Sequence, residues 1–281
     1  MGFEREINKP QINFRARGEG IPLVLLHGYL ESLDTWNDFA AKIEDRFRVI
    51  TPDLPGHGKS EQMDEATIEW MADAVDHVLD KAKEDRCIMI GHSMGGYVAL
   101  AYAEKYAQKL MGLGLFHSTP FADTEEKKNN RQREIELVKA GKKQTLINTN
   151  IPKMYADDNL EKMKDKLENS KKIALSTPDS GIIYALECMM SRPDRSKILG
   201  SFELPFFLVL GKKDNYIPFD TISKKMPRPP DTQTLFLENS GHMGFIEEEQ
   251  LVIDHLKYFG EHCKLFSSDA SGRINSREDK F

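Results

Sequence analysis

Ser93 lies in a stretch whose residue types suit a nucleophilic serine. It is the centre of Gly91-His92-Ser93-Met94-Gly95, which follows the apolar run Cys87 to Ile90 and precedes a segment rich in alanine and leucine. The run predicts a buried strand and the later segment predicts a helix. So sharp a turn strains its central residue and leaves no room for side chains two positions away, where both glycines lie. This context favours a reactive serine beside the free amides of a helix N-terminus over a chance glycine-serine loop.

Two other side chains that could complete a catalytic set follow later strands. Asp214 comes four residues after the apolar run Phe206 to Leu210, and His242 lies in the loop after a predicted last strand, Gln233 to Leu237. Imidazole titrates near neutral pH and can take a proton from a serine hydroxyl, while a buried carboxylate can orient the ring. We therefore expect a base and its orienting acid at these two positions.

Two further acids compete with Asp214 for that role. Asp194 lies between Arg192 and Arg195, where a solvated ion pair explains it. Asp220 stands at a predicted helix start, where the free amides and the helix dipole favour any acid. Asp214 is preferred because it alone follows a buried strand at the edge where functional loops gather.

The elements that must position these residues alternate along the chain. Two short strands, Phe3 to Ile7 and Gln11 to Arg15, precede the apolar strand Pro22 to Leu26, and further strands then alternate with helical segments. This order predicts an α/β fold with a mostly parallel sheet flanked by helices, whose functional loops lie at the carboxyl ends of the strands.

The alternation stops between residues 118 and 199, where apolar positions keep helical spacing and no strand-like run occurs. We expect a helical cap over 118–199, inserted between two parts of one core at 1–117 and 200–264. Residues 265–281 are almost free of apolar side chains and predict a disordered polar tail.

Within the expected cap, the charged run Glu125 to Arg131 is interpreted as a solvated helix face. Met189 and Met190 favour a soft apolar roof over a pocket, because methionine adapts to irregular ligands. The alternative is that they only pack the cap on the core. His117, at the end of a strand and the start of the cap, is a further candidate for the pocket wall.

Composition bounds the class of protein. The 281 residues are 40% hydrophobic and 30% charged with a net charge of −6, which is typical of a soluble globular protein. No apolar run approaches the roughly 18 residues of a membrane helix, and no apolar leader opens the chain, so a cytoplasmic location is the default. The absence of a basic stripe argues against nucleic-acid binding.

Cys87, Cys188 and Cys263 are too scattered for a disulfide framework or a zinc site. No residue set has metal-ligand or nucleotide-loop spacing, so no cofactor and no metal is implied.

Taken together, the motifs resemble the α/β-hydrolase fold family, specifically its capped serine hydrolases of the carboxylesterase type, over roughly residues 3 to 263. The residues that carry this resemblance are His27-Gly28, Asp53 with Gly56-His57-Gly58, the Ser93 turn, Asp214 and His242. The resemblance implies an eight-stranded sheet and a triad in the order Ser93, Asp214, His242. It also implies an oxyanion hole formed by the backbone amides of Met94 and Tyr29, with Leu30 a weaker candidate for the second.

The activity implied is hydrolysis of small hydrophobic carboxylic esters, or thioesters, through an acyl-enzyme. A serine rather than an aspartate at position 93 argues against dehalogenase and epoxide hydrolase chemistry. Carbon–carbon bond hydrolases, cofactor-free peroxidases or perhydrolases and hydroxynitrile lyases stay open. A ligand-binding sensor with little turnover is the alternative from another class, and the oligomeric state is left open.

Overall fold

The computed structural model describes residues 11–62 and 64–278, with side chains through residue 268. The strands of this part form one seven-stranded sheet in the order β1-β3-β2-β4-β5-β6-β7, and only β1 and β3 pair antiparallel. The strands are β1 (Phe14–Arg17), β2 (Ile21–Leu26), β3 (Phe47–Pro52), β4 (Cys87–His92), β5 (Leu110–Phe116), β6 (Phe206–Gly211) and β7 (Thr232–Leu237). The predicted fold class is confirmed. An eighth strand, predicted at Phe3 to Ile7, lies outside the described residues.

Helices connect the strands. They are α1 (Asn37–Ala41), α2 (Ile68–Ala82), α3 (Met94–Tyr106), α4 (Glu125–Lys139), α5 (Lys143–Lys153), α6 (Lys164–Ser176), α7 (Asp179–Ser191), α8 (Ser196–Gly200), α9 (Phe219–Lys225), α10 (Gly244–Glu247) and α11 (Glu249–Glu278). Among the described residues, none of these helices has both the length and the apolar composition needed to cross a bilayer.

Helices cover both faces of the sheet, and β5 shows why. A Cβ at Gly112 would meet the side chains of Cys263 and Phe259 in α11, whereas Leu115 lies against Gly96 in α3. Side chains alternate between the two faces of a strand, so an odd separation puts α11 and α3 on opposite sides. Strands buried on both faces need continuous apolar runs, and β4 and β6 are buried at every position.

Between β5 and β6 the chain forms α4 to α8 and no strand. We call residues 118–199 the cap, as in the sequence analysis. Helix α7 is seated on the loop after β3, because a Cβ at Gly181 would overlap the carbonyl oxygen of Gly56. The Tyr184 hydroxyl fixes the same contact by donating to the Glu65 carbonyl at 3.1 Å. The cap therefore rests on the core through a close backbone approach.

The last helix is longer than the sequence suggested. Helix α11 packs on β5 through Phe259 and Cys263, also contacts β7, and continues to Glu278. The sequence predicts disorder over 265–281, whereas the structure describes residues 265–278 as part of this helix. Residues 279–281 lie outside the described residues. Disorder at the end of the chain stays a prediction.

Candidate active site

Ser93 stands at a sharp turn between β4 and α3, as the sequence predicts. We call this turn the elbow. Its backbone has φ 50° and ψ −113°, and its N–H donates to the Phe116 carbonyl at 2.9 Å. A Cβ at Gly91 would overlap the Gly95 carbonyl, and one at Gly95 would lie 2.5 Å from the Leu26 carbonyl oxygen. Glycine is therefore required on both sides of the serine, as the motif analysis argued.

Backbone strain is concentrated around this serine. Four non-glycine residues of the described chain have positive φ, and three of them, Leu30, Ser93 and His117, end or follow strands β2, β4 and β5. The fourth, Lys83, closes helix α2 in the left-handed conformation common at helix ends. Each strained residue costs about 1–3 kcal/mol, which the surrounding packing must supply. Such clustering is typical of sites that hold reactive groups in place.

Asp214 and His242 are joined as the sequence predicted. The His242 Nδ1 lies 2.8 Å from Asp214 Oδ2, while Oδ1 of the same carboxylate accepts from the N–H groups of Tyr216 (2.8 Å) and Ile217 (2.9 Å). Burial alone would raise the pKa of Asp214, yet His242 and His117 hold it well below its usual range. The acid is thus a charged, fixed acceptor for the imidazole.

The competing acids lie elsewhere. Asp194 accepts from Ser196 N–H at 2.8 Å and from its hydroxyl, as a turn-forming acid does, rather than forming the ion pair suggested by its arginine neighbours. Asp220 is exposed in the first turn of α9 and lies 3.8 Å from Lys224.

His117 is not among the residues that line the cavity; it lies behind Asp214. Backbone N–H groups lie at both of its ring nitrogens, that of Gly244 at 3.2 Å from Nε2 and that of Gly211 at 3.3 Å from Nδ1, and Nδ1 also lies 3.3 Å from Asp214 Oδ2. Burial lowers the pKa of His117 to about 4, against the attraction of the Asp214 carboxylate. The end of β5 therefore places His117 as a neutral second partner of the acid instead of in the pocket wall.

The two backbone amides predicted for the oxyanion hole have no acceptor among the described residues. Met94 is the first residue of α3, so its N–H has no partner within the helix. Tyr29 lies in the loop after β2, and its N–H donates to no other residue in the described part of the chain. These are the two donors expected for an oxyanion hole, and free amides are what that role requires.

A buried ion pair that the sequence analysis missed connects three of the loops. Glu31 Oε2 accepts from Gly28 N–H at 2.6 Å and lies 3.1 Å from Nδ1 of His92, whose Nε2 lies 2.9 Å from the His242 carbonyl oxygen. Carboxylate and carbonyl oxygens both accept, so the His92 ring presents an N–H at each nitrogen, which is the imidazolium form.

The protonation of this pair follows from its surroundings. Burial alone would lower the pKa of His92, but Glu31 raises it; burial alone would raise the pKa of Glu31, but His92 lowers it. The pair therefore ties the loop after β2, the elbow and the His242 loop into one unit. No local pattern signals it, because its members are far apart in the sequence.

The His242 loop is also held by the cap. The His242 N–H donates to the Met154 carbonyl at 2.7 Å. The half-buried Glu247 carboxylate accepts from Gly241 (2.9 Å) and Met243 (3.2 Å) on the core side, and from the Ala156 N–H (2.8 Å) and the Asn159 side chain (2.7 Å) on the cap side. The position of the proposed base therefore depends on the cap as well as on the sheet.

A cavity of about 440 Å³ opens at Ser93 and His242. Met189 lines it, as expected for an apolar roof, but Met190 does not. Most of the cap side is polar instead. We call this surface the cap wall, and its residues are Lys127, Asn130, Arg131 and Glu134 of α4 with Asn150 and Lys153 of α5. The charged run interpreted as solvated thus partly faces the cavity.

Among the described residues, His117, Asp214 and His242 have ligand atoms within 4.8 Å of one another, a spacing that could hold a metal ion. Two of these atoms, Nδ1 of His242 and Oδ2 of Asp214, already form a hydrogen bond with each other. The geometry is accounted for by an acid between two imidazoles.

Comparison with known proteins agrees with this architecture. A pimeloyl-[acyl-carrier protein] methyl ester esterase from Aeromonas hydrophila subsp. hydrophila is 26% identical over 253 residues, which cover 86% of this chain and 96% of the relative. Lipase 1 from Psychrobacter immobilis is 27% identical over 247 residues, covering 85% and 77% respectively. A thermophilic esterase from Thermogutta terrifontis, solved with malate bound, superposes with a TM-score of 0.86 at 28% identity and covers 90% of this chain and 94% of its own.

The model of the alpha/beta hydrolase fold family matches residues 21–249, from β2 to the start of α11. That span includes the elbow, the acid, the histidine and the whole cap. The chain belongs to the α/β-hydrolase fold family.

Proposed function

We propose that this protein is a serine esterase that hydrolyses carboxylic esters, or thioesters, through an acyl-enzyme. The observation that carries the proposal is the 2.8 Å contact between Asp214 and His242, with His242 on the same cavity as the strained Ser93. Relatives of this chain include a methyl ester esterase and a lipase, which supports ester chemistry at this site.

The first half of the reaction forms the acyl-enzyme. His242 Nε2 takes the proton of the Ser93 hydroxyl as its oxygen attacks the ester carbonyl, and Asp214 stabilises the resulting imidazolium. The amides of Met94 and Tyr29 donate to the oxyanion. When the tetrahedral intermediate collapses, His242 returns the proton to the leaving alcohol. Water then repeats the sequence on the acyl-enzyme, releasing the acid and restoring Ser93.

A fluorophosphonate probe tests the nucleophile. We expect one label per chain, mapped by peptide mass spectrometry to Ser93, and none in Ser93→Ala. Ser196→Ala, which removes a partly exposed serine of the cap, should leave the label in place. Label on another serine, or none on folded protein, would contradict the proposal.

A panel of activated esters of increasing acyl length tests turnover. Continuous hydrolysis that disappears in Ser93→Ala supports an esterase. A labelled Ser93 with no turnover on any member of the panel would instead favour the low-turnover sensor. The other chemistries of this fold share the same triad, and no contact in the described site favours one of them over ester hydrolysis.

A further inference from the structure

The cavity above Ser93 is bounded on the cap side by one face of α4. Lys127, Asn130, Arg131 and Glu134 line it at positions i, i+3, i+4 and i+7, which form a single stripe of an α-helix. Thr124 caps this helix by accepting from Lys127 N–H at 3.3 Å. Any part of a substrate that extends from the reacting ester toward the cap therefore meets charged and polar side chains.

Positive charge is in excess on this face. Arg131 and Arg192 share one carboxylate, Asp123, at 2.5 Å and 2.8 Å. Lys127 and Lys153 line the cavity and form no ion pair with any described residue. Cationic residues of the cap wall thus outnumber its acid, Glu134, three to one.

The one acid does not cancel this excess. Burial raises the pKa of Glu134, although the Asn150 amide, 2.8 Å from Glu134 Oε1, and the neighbouring Arg131 partly oppose that shift. A raised carboxyl pKa means that the negative form is disfavoured there. The cap wall therefore has a net positive charge even when Glu134 is counted as fully ionised.

One buried donor in the cavity is the Tyr29 hydroxyl. It lies near the Glu134 carboxyl but makes no hydrogen bond of good geometry to a described residue. Burial, together with the nearby Glu134, raises its pKa well above its usual value, so the hydroxyl stays protonated and can donate. A buried donor without a well-formed hydrogen bond is destabilising, and an acceptor on a bound ligand would complete that bond.

We propose that the substrate ester carries a carboxylate, and that this carboxylate binds against the cap wall near Tyr29, Lys127 and Lys153. The inference rests on the proposed esterase activity and names its substrate class, the monoester of a dicarboxylic acid. A carboxylate supplies acceptor oxygens for an unpaired hydroxyl and a negative charge for unpaired ammonium groups. A purely apolar acyl chain would supply neither the acceptor nor the negative charge.

The experiment compares three esters with one leaving group and similar acyl length. They are the mono-para-nitrophenyl ester of adipic acid, para-nitrophenyl hexanoate and the para-nitrophenyl ester of ε-aminocaproic acid. We expect kcat/KM for the adipate monoester to exceed that for the hexanoate by about tenfold, since hydrogen bonds to charged groups are the stronger ones. The ratio should fall as salt is added, because added ions screen the charges.

Variants locate the effect. Lys127→Gln and Lys153→Gln should each lower the adipate-to-hexanoate ratio several-fold, and Tyr29→Phe should lower it as well. Lys128→Gln is the matched control, because Lys128 is paired with Glu125 at 2.9 Å and does not line the cavity. Its ratio should equal that of the parent.

The outcomes separate the inference from the activity on which it rests. Turnover of the hexanoate with an adipate ratio of one or less would overturn the carboxylate while leaving the esterase proposal in place. A preference for the amino ester would overturn it in favour of a cation held by Glu134. No turnover of any ester and no label on Ser93 would overturn both. The salt dependence uses parent enzyme alone and so decides the matter even if a variant fails to fold.

Discussion

Two surfaces border the same cavity but are built differently. One is formed by the loops after β2, β4, β6 and β7, which carry the proposed triad and which we call the catalytic loops. The other is the cap wall. In the loops, buried groups such as Asp214, Glu31 and His92 have short, defined partners, and the backbone at Ser93 is strained. On the cap wall, Lys127 and Lys153 have no ion-pair partner among the described residues. Rigid, satisfied groups suit chemistry that must be repeated without error, whereas unpaired groups suit recognition of a substrate that supplies the missing partners.

Replacing the proposed nucleophile should have the largest effect on activity. Ser93→Ala should lower kcat for an activated ester by about 10³-fold or more, because residues of such a triad act as a unit. Initial rates on para-nitrophenyl hexanoate, with circular dichroism as the check on folding, measure this. Activity within tenfold of the parent would move the chemistry away from the catalytic loops.

Neutralising the buried acid should have the next largest effect. Asp214→Asn removes the charge that stabilises the His242 imidazolium, and we expect a loss of about 10²-fold or more in kcat, by analogy with the larger loss in a serine protease triad. Asp220→Asn, an exposed acid of α9, and Asp194→Asn are matched controls. Collapse of either control, with Asp214→Asn near parental rates, would reassign the acid.

Glu31→Gln tests a residue that positions the His242 loop without lining the cavity. We expect about a tenfold loss in kcat with little change in KM, because the variant loosens the contact between His92 and the His242 loop. Asp231→Asn is the matched control. It neutralises an acid paired with the partly exposed His262, beside the amino end of β7, and should behave as the parent.

The pH profile of Glu31→Gln separates positioning from simple destabilisation. The Glu31 pKa is lowered and the His92 pKa is raised in the folded protein. The pair therefore stabilises the fold between those two values, and this stabilisation is lost as pH falls through the pKa of Glu31 or rises through that of His92. Without the carboxylate, His92 should lose its proton at lower pH, so the alkaline limb of kcat should move to lower pH. An unmoved limb would show that the pair does not position the base.

The smallest effect is expected where the cap meets the core. Gly181→Ala should push α7 away from Gly56, lowering the free energy of unfolding by about 1–3 kcal/mol and changing kcat/KM only a few-fold. Gly200→Ala, at the end of α8 with open space around the added methyl group, should leave stability unchanged or raise it. A melting temperature for Gly181→Ala equal to that of the parent would show that the cap is not fixed at this contact.

The sequence predicted the catalytic loops well because their constraints are local. Gly91 and Gly95 are needed by the turn itself, and the acid and histidine follow apolar runs whose carboxyl ends meet at one edge. The Glu31–His92 pair could not be predicted, since it depends on three loops meeting in space.

The cap wall shows a different limit. A helix face rich in lysine, arginine and glutamate looks the same in sequence whether it faces bulk water or a polar cavity. The spacing of Lys127, Arg131 and Glu134 indicates that they share a face, but only the placement of α4 over Ser93 shows what lies opposite. Met190, which the sequence predicts in the roof, does not line the cavity. Apolar residues pack a cap as readily as they line a pocket, so the sequence alone does not separate the two roles.

The Glu247 carboxylate limits how this protein could be recombined with its relatives. It accepts from four donors, two in the cap (Ala156 and Asn159) and two beside His242 (Gly241 and Met243). A chimaera that exchanged the cap without matching the segment 154–159 would leave part of a half-buried carboxylate without donors, next to the proposed base His242. A cap exchange in this protein should therefore keep that segment and Glu247 from the same parent.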